Sequence, residues 1–334
     1  MSDLPPALFA LDPEHLPRLF PEPYLRRLTA ALDIDPRRVA RDWSDPETAA
    51  RLAEAEVIVS GWGAPRIDAA AVEAAPNLRA ILHTAGSVKW LDEAVHERGV
   101  AVSSAVSANA LPVAEYTLAA ILLAGKDVFG LRERFRAERG FELGLVHPGV
   151  GNFGRTVGLI GASRIGRRVA ELLRPFDLEV LITDPHLDRA EAEKLGARPV
   201  ELDALVTESD IVSVHAPDLA ETRHLINAER LAAMKDGAVV INTARGNLVD
   251  TDALVAELET GRISAILDVT TPEPLPADSR LFDLPNAFLT PHVAGSQGNE
   301  LARMGLYIVE EAERLTAGEP LVHRIDPVTL WKQA

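Results

Sequence analysis

Three residues in the C-terminal half have side chains suited to moving a proton to or from an anion. Arg245 stands in Val240-Ile241-Asn242-Thr243-Ala244-Arg245-Gly246 and Glu273 in Asp268-Val269-Thr270-Thr271-Pro272-Glu273-Pro274. His292 stands in Leu289-Thr290-Pro291-His292-Val293-Ala294-Gly295. A guanidinium presents a planar fork of donors that fits a carboxylate and an adjoining carbonyl oxygen. An imidazole, with a reference pKa of about 6.5, exchanges a proton at neutral pH. A carboxylate on the ring's other nitrogen fixes the tautomer and favours the protonated form. Plainer readings exist for each: a surface or capping arginine, a solvated glutamate between two prolines, a satisfied buried histidine.

Such groups need strand ends to hold them. In the first hundred residues the apolar runs Ala7–Leu11, Val57–Ser60, Ala80–His83 and Val100–Ser103 alternate with Pro- and Asp-led helical segments such as Asp45-Pro46-Glu47. Continuous apolar strands predict a parallel sheet covered on both faces. After Gly149-Val150-Gly151-Asn152-Phe153-Gly154 a second series gives strands at Val157–Ile160, Val180–Thr183, Ile211–His215, Ala238–Asn242, Ala265–Val269 and Ala287–Leu289. Six strands with helices between them predict a doubly wound sheet. Residues Leu111–Ala124 read as a helix apolar nearly all round, with Pro112 in its first turn, serving either as a core helix or at an interface. Asn299–Thr316 reads as a final helix crossing back onto the N-terminal domain.

Thr156-Val157-Gly158-Leu159-Ile160-Gly161-Ala162-Ser163-Arg164-Ile165-Gly166 has the strand–turn–helix context of a dinucleotide fingerprint. Gly161 permits the turn, Gly166 allows helix and strand to approach, and the helix N-terminus offers N–H groups to a pyrophosphate. Ser163 replaces the middle glycine; it is small, and its hydroxyl is able to donate to a phosphate oxygen. Asp184 ends the next strand at about the 20-residue spacing of the acid that binds ribose hydroxyls. Its charge opposes a 2′-phosphate and favours NAD over NADP, against a plain Asp-Pro turn as the alternative.

Taken together and in this order, these motifs resemble the D-isomer-specific 2-hydroxyacid dehydrogenase family, densely from about Leu111 to Gly295 and thinly over the first hundred residues. The resemblance implies a Rossmann NAD-binding domain, residues 108–295, inserted in a flavodoxin-like substrate domain made of 1–107 and 296–334. It implies NAD as cofactor and reversible hydride transfer between NAD(H) and a D-2-hydroxy or 2-keto acid. Arg245 would bind the carboxylate and carbonyl, His292 act as general acid/base, and Glu273 orient it. By the same resemblance Gly86, Ser87 and Val88 receive the substrate carboxylate. His215, Ala216, Pro217 and Thr222 line the nicotinamide, and Thr243, Ala244 and Asp268 meet its ribose and carboxamide. Gly161, Ser163, Arg164, Ile165, Asp184 and Gly295 complete the cofactor set. A homodimer is implied as well. Trp43, Trp62, Trp90 and Trp331 are candidates for a substrate pocket, or for core. Two alternatives remain: a formate-type dehydrogenase, against which Glu273 argues, and a non-catalytic NAD(H)-sensing interaction protein.

Composition narrows the field further. The 334 residues suit two domains, and the net charge of -16 disfavours nucleic acid or anionic membrane as partner. With no cysteine, disulfides and thiolate chemistry are excluded, and no His/Asp/Glu spacing predicts a metal. No signal peptide is read at Met1–Pro6, and no uninterrupted apolar run reaches the span of a bilayer. The expectation is a soluble cytoplasmic protein.

Overall fold

The computed structural model describes residues 4–88, 90–140 and 149–326, so Trp331 and the first three residues lie outside it. The chain divides into two compact units, Met1–Ala110 with Ser296–Gln333, and Leu111–Gly295.

The first unit is built on five parallel strands, β1 (Ala7–Ala10), β2 (Val39–Ala40), β3 (Val57–Ser60), β4 (Ala80–His83) and β5 (Ala101–Ser104), in the order β2-β1-β3-β4-β5. Side chains alternate between two cores. Phe9, Val59 and Leu82 face one and Leu8, Ile58 and Ile81 the other, which is why these strands read as unbroken apolar runs. The final helix, Leu301–Ala317, packs Met304, Ile308 and Ala312 into the first of these cores. Its approach is close enough that a Cβ on Gly305 would lie 1.7 Å from the Leu19 carbonyl oxygen. Buried Glu311 on this helix accepts from the Ser103 hydroxyl and the N–H groups of Val322 and His323, fastening the C-terminal segment beside β5. The register puts Ser60, His83 and Ser104 abreast at the C-terminal ends of β3, β4 and β5.

The second unit has seven parallel strands. They are β6 (Arg155–Ile160), β7 (Leu178–Thr183), β8 (Arg198–Pro199), β9 (Ile211–Val214), β10 (Val239–Asn242), β11 (Ser264–Leu267) and β12 (Ala287–Leu289), in the order β12-β11-β10-β9-β6-β7-β8. The chain winds outward from β6 through β7 to β8, then returns to place β9 on the other side of β6. The C-terminal ends of β6 and β9 therefore flank the reversal of strand order where such sheets bind ligands. The sequence predicts six strands here; β8 is the seventh, a two-residue edge strand paired only with Leu181 and Ile182 and too short to show as an apolar run. The two-residue β2 escapes the sequence reading for the same reason. Several strands start or stop one or two residues away from the apolar runs; β5 ends at Ser104 rather than Ser103.

The long apolar helix runs Val106–Gly125, so Pro112 lies inside it and not in its first turn. The helix begins early because the Ser104 hydroxyl accepts the Val106 N–H and the Ala105 carbonyl accepts that of Asn109. Pro112 has no N–H for the Ala108 carbonyl. Contrary to the reading from uninterrupted runs, this helix is long and apolar enough by length and composition to cross a membrane. Ala114, Ala120, Ile121 and Ala124 instead pack in the core of the second unit against Val157, Leu159 and Ile241.

Candidate active site

The turn after β6 is shaped by contacts that exclude side chains. Gly161 has φ +102, and a Cβ there would come within 2.8 Å of the His215 carbonyl and 2.7 Å of the Ala216 nitrogen. A Cβ on Gly166 would fall 2.0 Å from the Gly161 carbonyl oxygen. Strand β9 and the following helix, Arg164–Leu173, thus close on the turn from both sides. Ser163 caps that helix in an extended conformation (φ −63, ψ 176), its Oγ accepting the Gly166 N–H at 3.3 Å. Such a backbone needs no glycine, which explains how serine stands at this position. Because Oγ accepts in the cap, its own proton remains available to a ligand. Asp184 follows β7 and accepts the Ala162 N–H at 2.7 Å on one oxygen and the His186 N–H at 2.8 Å on the other. It therefore also braces the turn, and each oxygen keeps a lone pair for a hydroxyl. This cradle, a ten-residue helix N-terminus behind it and an acid beside it fit a dinucleotide without a 2′-phosphate.

His215, after β9, is fully buried, with Nε2 2.9 Å from the Ser213 hydroxyl; Nδ1 has no partner among the described residues. Burial holds its pKa down to about 3, so the ring is neutral. Its neighbours Ala216 and Pro217 lead to Thr222, whose hydroxyl donates to the Pro217 carbonyl at 2.6 Å and accepts the Leu219 N–H.

The three candidate catalytic residues follow adjacent strands: Arg245 after β10, Glu273 after β11 and His292 after β12. His292 Nδ1 lies 2.5 Å from Glu273 Oε1, and both side chains are about half exposed. That contact engages Nδ1 and leaves Nε2 as the ring nitrogen not held by Glu273. His292 has φ +53, unusual for a residue with a side chain. The conformation is held by the carbonyls of Asp268 and Thr290, which accept the His292 N–H, and by the buried carboxylate of Asp268. One Asp268 oxygen accepts the Thr290 hydroxyl at 2.6 Å and the Val293 N–H at 2.8 Å; the other accepts the Ala294 N–H at 2.9 Å. The half-buried Tyr116 extends this chain, its hydroxyl 2.8 Å from that of Thr290. Burial pushes the phenol above its ordinary value, and the bond to Thr290 opposes the shift.

The Arg245 turn is clamped by Asn242, whose amide donates to the Arg245 carbonyl and accepts the Ala244 N–H. Gly246 is pressed on the β11 loop: a Cβ there would sit 2.0 Å from the Thr270 carbonyl oxygen. The arginine and glutamate loops are thereby packed on each other. The exposed guanidinium donates through Nη1 to the Ala244 carbonyl, and among the described residues no carboxylate pairs with it. Thr243 is buried against the Thr117 hydroxyl at 3.0 Å. Gly295 ends the His292 turn, half-buried.

In the first unit, Gly86 and Ser87 lie in the loop after β4, half-buried and exposed respectively, whereas the Val88 side chain is buried in the core and has only its backbone to offer. Of the tryptophans, Trp43 donates its indole N–H to the Arg66 carbonyl, Trp90 packs 5.4 Å from His83, and Trp62 is 39% exposed beside His15. Asn242, Thr290, Tyr116, His83 and Ser104 are the positions that reasoning from reactive residue types passes over. The available signal is a polar residue closing or adjoining an apolar run.

Residues 118–294 match the family described as "D-isomer specific 2-hydroxyacid dehydrogenase, NAD binding domain". The chain is 32% identical over 267 residues to a D-3-phosphoglycerate dehydrogenase of Archaeoglobus fulgidus, covering 78% of this chain and 50% of the relative. It thus spans about half the length of that relative. It is 33% identical to glyoxylate/hydroxypyruvate reductase B of Yersinia enterocolitica, covering 86% of this chain and 89% of the relative. Among solved structures, a phosphoglycerate oxidoreductase from Rhizobium etli superposes with a TM-score of 0.83 at 25% identity, covering 98% and 99% of the two chains. With the motifs in order along one sheet edge, the chain belongs to the D-isomer specific 2-hydroxyacid dehydrogenase family.

Proposed function

We propose that this protein is an NAD-dependent oxidoreductase that interconverts a 2-keto acid and the D-2-hydroxy acid. The observation that carries the reading is the 2.5 Å contact between His292 Nδ1 and Glu273 on a turn built around buried Asp268. Bound NADH supplies the hydride. Reduction places negative charge on the ketone oxygen, and His292 Nε2 donates the proton it requires. Glu273 holds the ring in the tautomer with Nε2 outward and stabilises the imidazolium. In the oxidative direction the same nitrogen removes the hydroxyl proton. Arg245 binds the substrate carboxylate and carbonyl oxygen, and the backbone of Gly86, Ser87 and Val88 receives the carboxylate. Gly161, Ser163, Arg164, Ile165 and Asp184 hold the adenosine and pyrophosphate portion of NAD. The Glu273 contact favours this assignment over a formate-type reaction, which needs no acid to protonate a product oxygen.

The test is turnover of NADH, followed by absorbance, with glyoxylate, pyruvate, hydroxypyruvate and phenylpyruvate. Reduction of at least one is expected; tight NADH binding with no turnover of any would favour an NAD(H) sensor. The proposal extends to a homodimer. Helix Val128–Glu138 buries none of its residues, and Val128, Phe135 and nearby Phe153 are 39%, 57% and 87% exposed. Light scattering is expected to give about twice the 36.0 kDa chain mass.

A further inference from the structure

The buried polar residues beneath the loop after β4 form a support that the proposed reaction does not yet use. Ser104 is fully buried, and its Oγ lies 2.8 Å from the Ala85 carbonyl oxygen and 2.6 Å from that of Gly86. The same oxygen accepts the Val106 N–H at 3.2 Å. One hydroxyl proton is therefore shared between two successive carbonyls. In a trans peptide the C=O and the following N–H point to opposite sides. Fixing the carbonyls of residues 85 and 86 consequently turns the N–H groups of Gly86 and Ser87 away from Ser104, side by side. Successive N–H groups presented together make a concavity that takes an anion.

His83 lies next to Ser104 in the register of β4 and β5. Its Nδ1 is 2.9 Å from the Ser60 hydroxyl, and the ring also bonds to the backbone of Ser87. Burial holds the imidazole neutral, with a pKa of about 4, so one ring nitrogen accepts while the other donates. Ser60 itself is anchored, its carbonyl accepting the Thr84 hydroxyl at 3.0 Å. Glycine at 86 does not produce this shape. Its φ lies outside the left-handed region, and a Cβ there would meet nothing nearer than Asn109 Nδ2 at 3.7 Å.

We infer that Ser104, supported by His83, is the positioning residue that shapes the Gly86–Ser87 backbone into the receptor for the substrate's carboxylate. This rests on the keto-acid reading above and adds to it the side chain that makes the receptor. The test uses the whole protein and its S104A, S104C and S104T variants. It compares kcat, KM for the best keto acid, the dissociation constant of oxamate in the presence of NADH, and that of NADH alone. S104A is expected to raise KM and the oxamate dissociation constant about 10–100-fold, the range of a hydrogen-bonded contact to a charged group. NADH affinity should stay unchanged and kcat change least. S104T, which keeps the hydroxyl, should recover most of the loss. If S104A does not fold, S104C keeps the volume with a much weaker donor and takes its place. Unaltered KM and oxamate affinity in the folded variant overturn the inference, as does a parallel loss of NADH affinity that S104T fails to restore. A wild type that reduces no keto acid yet binds oxamate, with binding lost in S104A, refutes the redox reading and leaves the receptor standing.

Discussion

Along the C-terminal edge of the second unit's sheet the groups offered outward are side chains: Arg245, Glu273 and His292, all exposed. The polar residues that hold them, Asn242 and Asp268, are buried at the end of β10 and just past the end of β11. At the corresponding edge of the first unit the arrangement is inverted. There Ser60, His83 and Ser104 are all buried, and the Ser104 hydroxyl contacts the backbone carbonyls of residues 85 and 86. The difference matches what the proposed reaction asks of each edge. Proton transfer needs a titrating side chain at the surface of a rigid turn. Binding a carboxylate needs only oriented N–H groups, which any residue supplies once its carbonyls are fixed.

The contrast between the two edges is tested most directly at His292. If the second edge acts through its side chain, H292A should lower kcat by about 10²–10⁴-fold, the usual contribution of a positioned acid or base, with NADH binding unchanged. Stopped-flow absorbance with saturating NADH measures this, and a variant that keeps wild-type kcat removes His292 from the chemistry.

Asp268 tests whether the side chain acts only because its turn is rigid. An amide at this position places NH2 against one of the three donors that the carboxylate now accepts from Thr290, Val293 and Ala294. D268N is expected to lower kcat about 10–100-fold, the cost of displacing a reacting group by a fraction of an ångström to an ångström. A change confined to the NADH dissociation constant would instead make Asp268 a cofactor contact.

These two edges were also unequally legible in the sequence. Arg245, Glu273 and His292 announce their chemistry by residue type, and the glycine fingerprint announces a turn that only glycine can make at Gly161. The parallel sheets are readable because strands buried on both faces are apolar along most of their length. The hidden parts share one property: their role depends on register. Nothing in Ala80–His83 or Ala101–Ser104 says that His83 and Ser104 end up abreast, since that is decided by pairing between strands about twenty residues apart. The edge strands β2 and β8 were hidden because two residues carry no periodicity. Pro112 lies inside the helix because the helix starts at Val106, whose N–H is accepted by the Ser104 hydroxyl, a start that no apolar run marks.

The buried histidines offer a matched pair of probes, one in each unit. Burial holds His83 at about 4 and His215 at about 3, below the 6.5 of an exposed ring. The unfolded chain takes up these protons as pH falls through 6.5, and the folded chain does so only near 4 and 3. Stability is therefore full above pH 6.5 and lost progressively below it. At pH 5 each neutral ring accounts for about 2 kcal/mol of the loss. In urea titrations, the stability gap between wild type and H83Q is expected to shrink by about 2 kcal/mol from pH 7 to pH 5, and likewise for H215Q. A constant gap for one and not the other would show which edge keeps its ring charged.

Ser163 gives the smallest and most selective effect, because it belongs to both modes of action. Its Oγ caps the helix by accepting the Gly166 N–H, while the hydroxyl proton remains for a phosphate oxygen in the proposed NAD complex. Replacing a serine cap by glycine costs only a few tenths of a kcal/mol, so S163G restores the three-glycine pattern with little loss of stability. If the second unit contributes through side chains here too, S163G should weaken NADH binding about 3–10-fold, the net value of one ordinary hydrogen bond. S163T, which retains the hydroxyl, should bind within about twofold of wild type by the same reasoning. Fluorescence titration separates the cases: equal or tighter binding by S163G would mean that at this turn, as in the loop after β4, the backbone alone receives the anion.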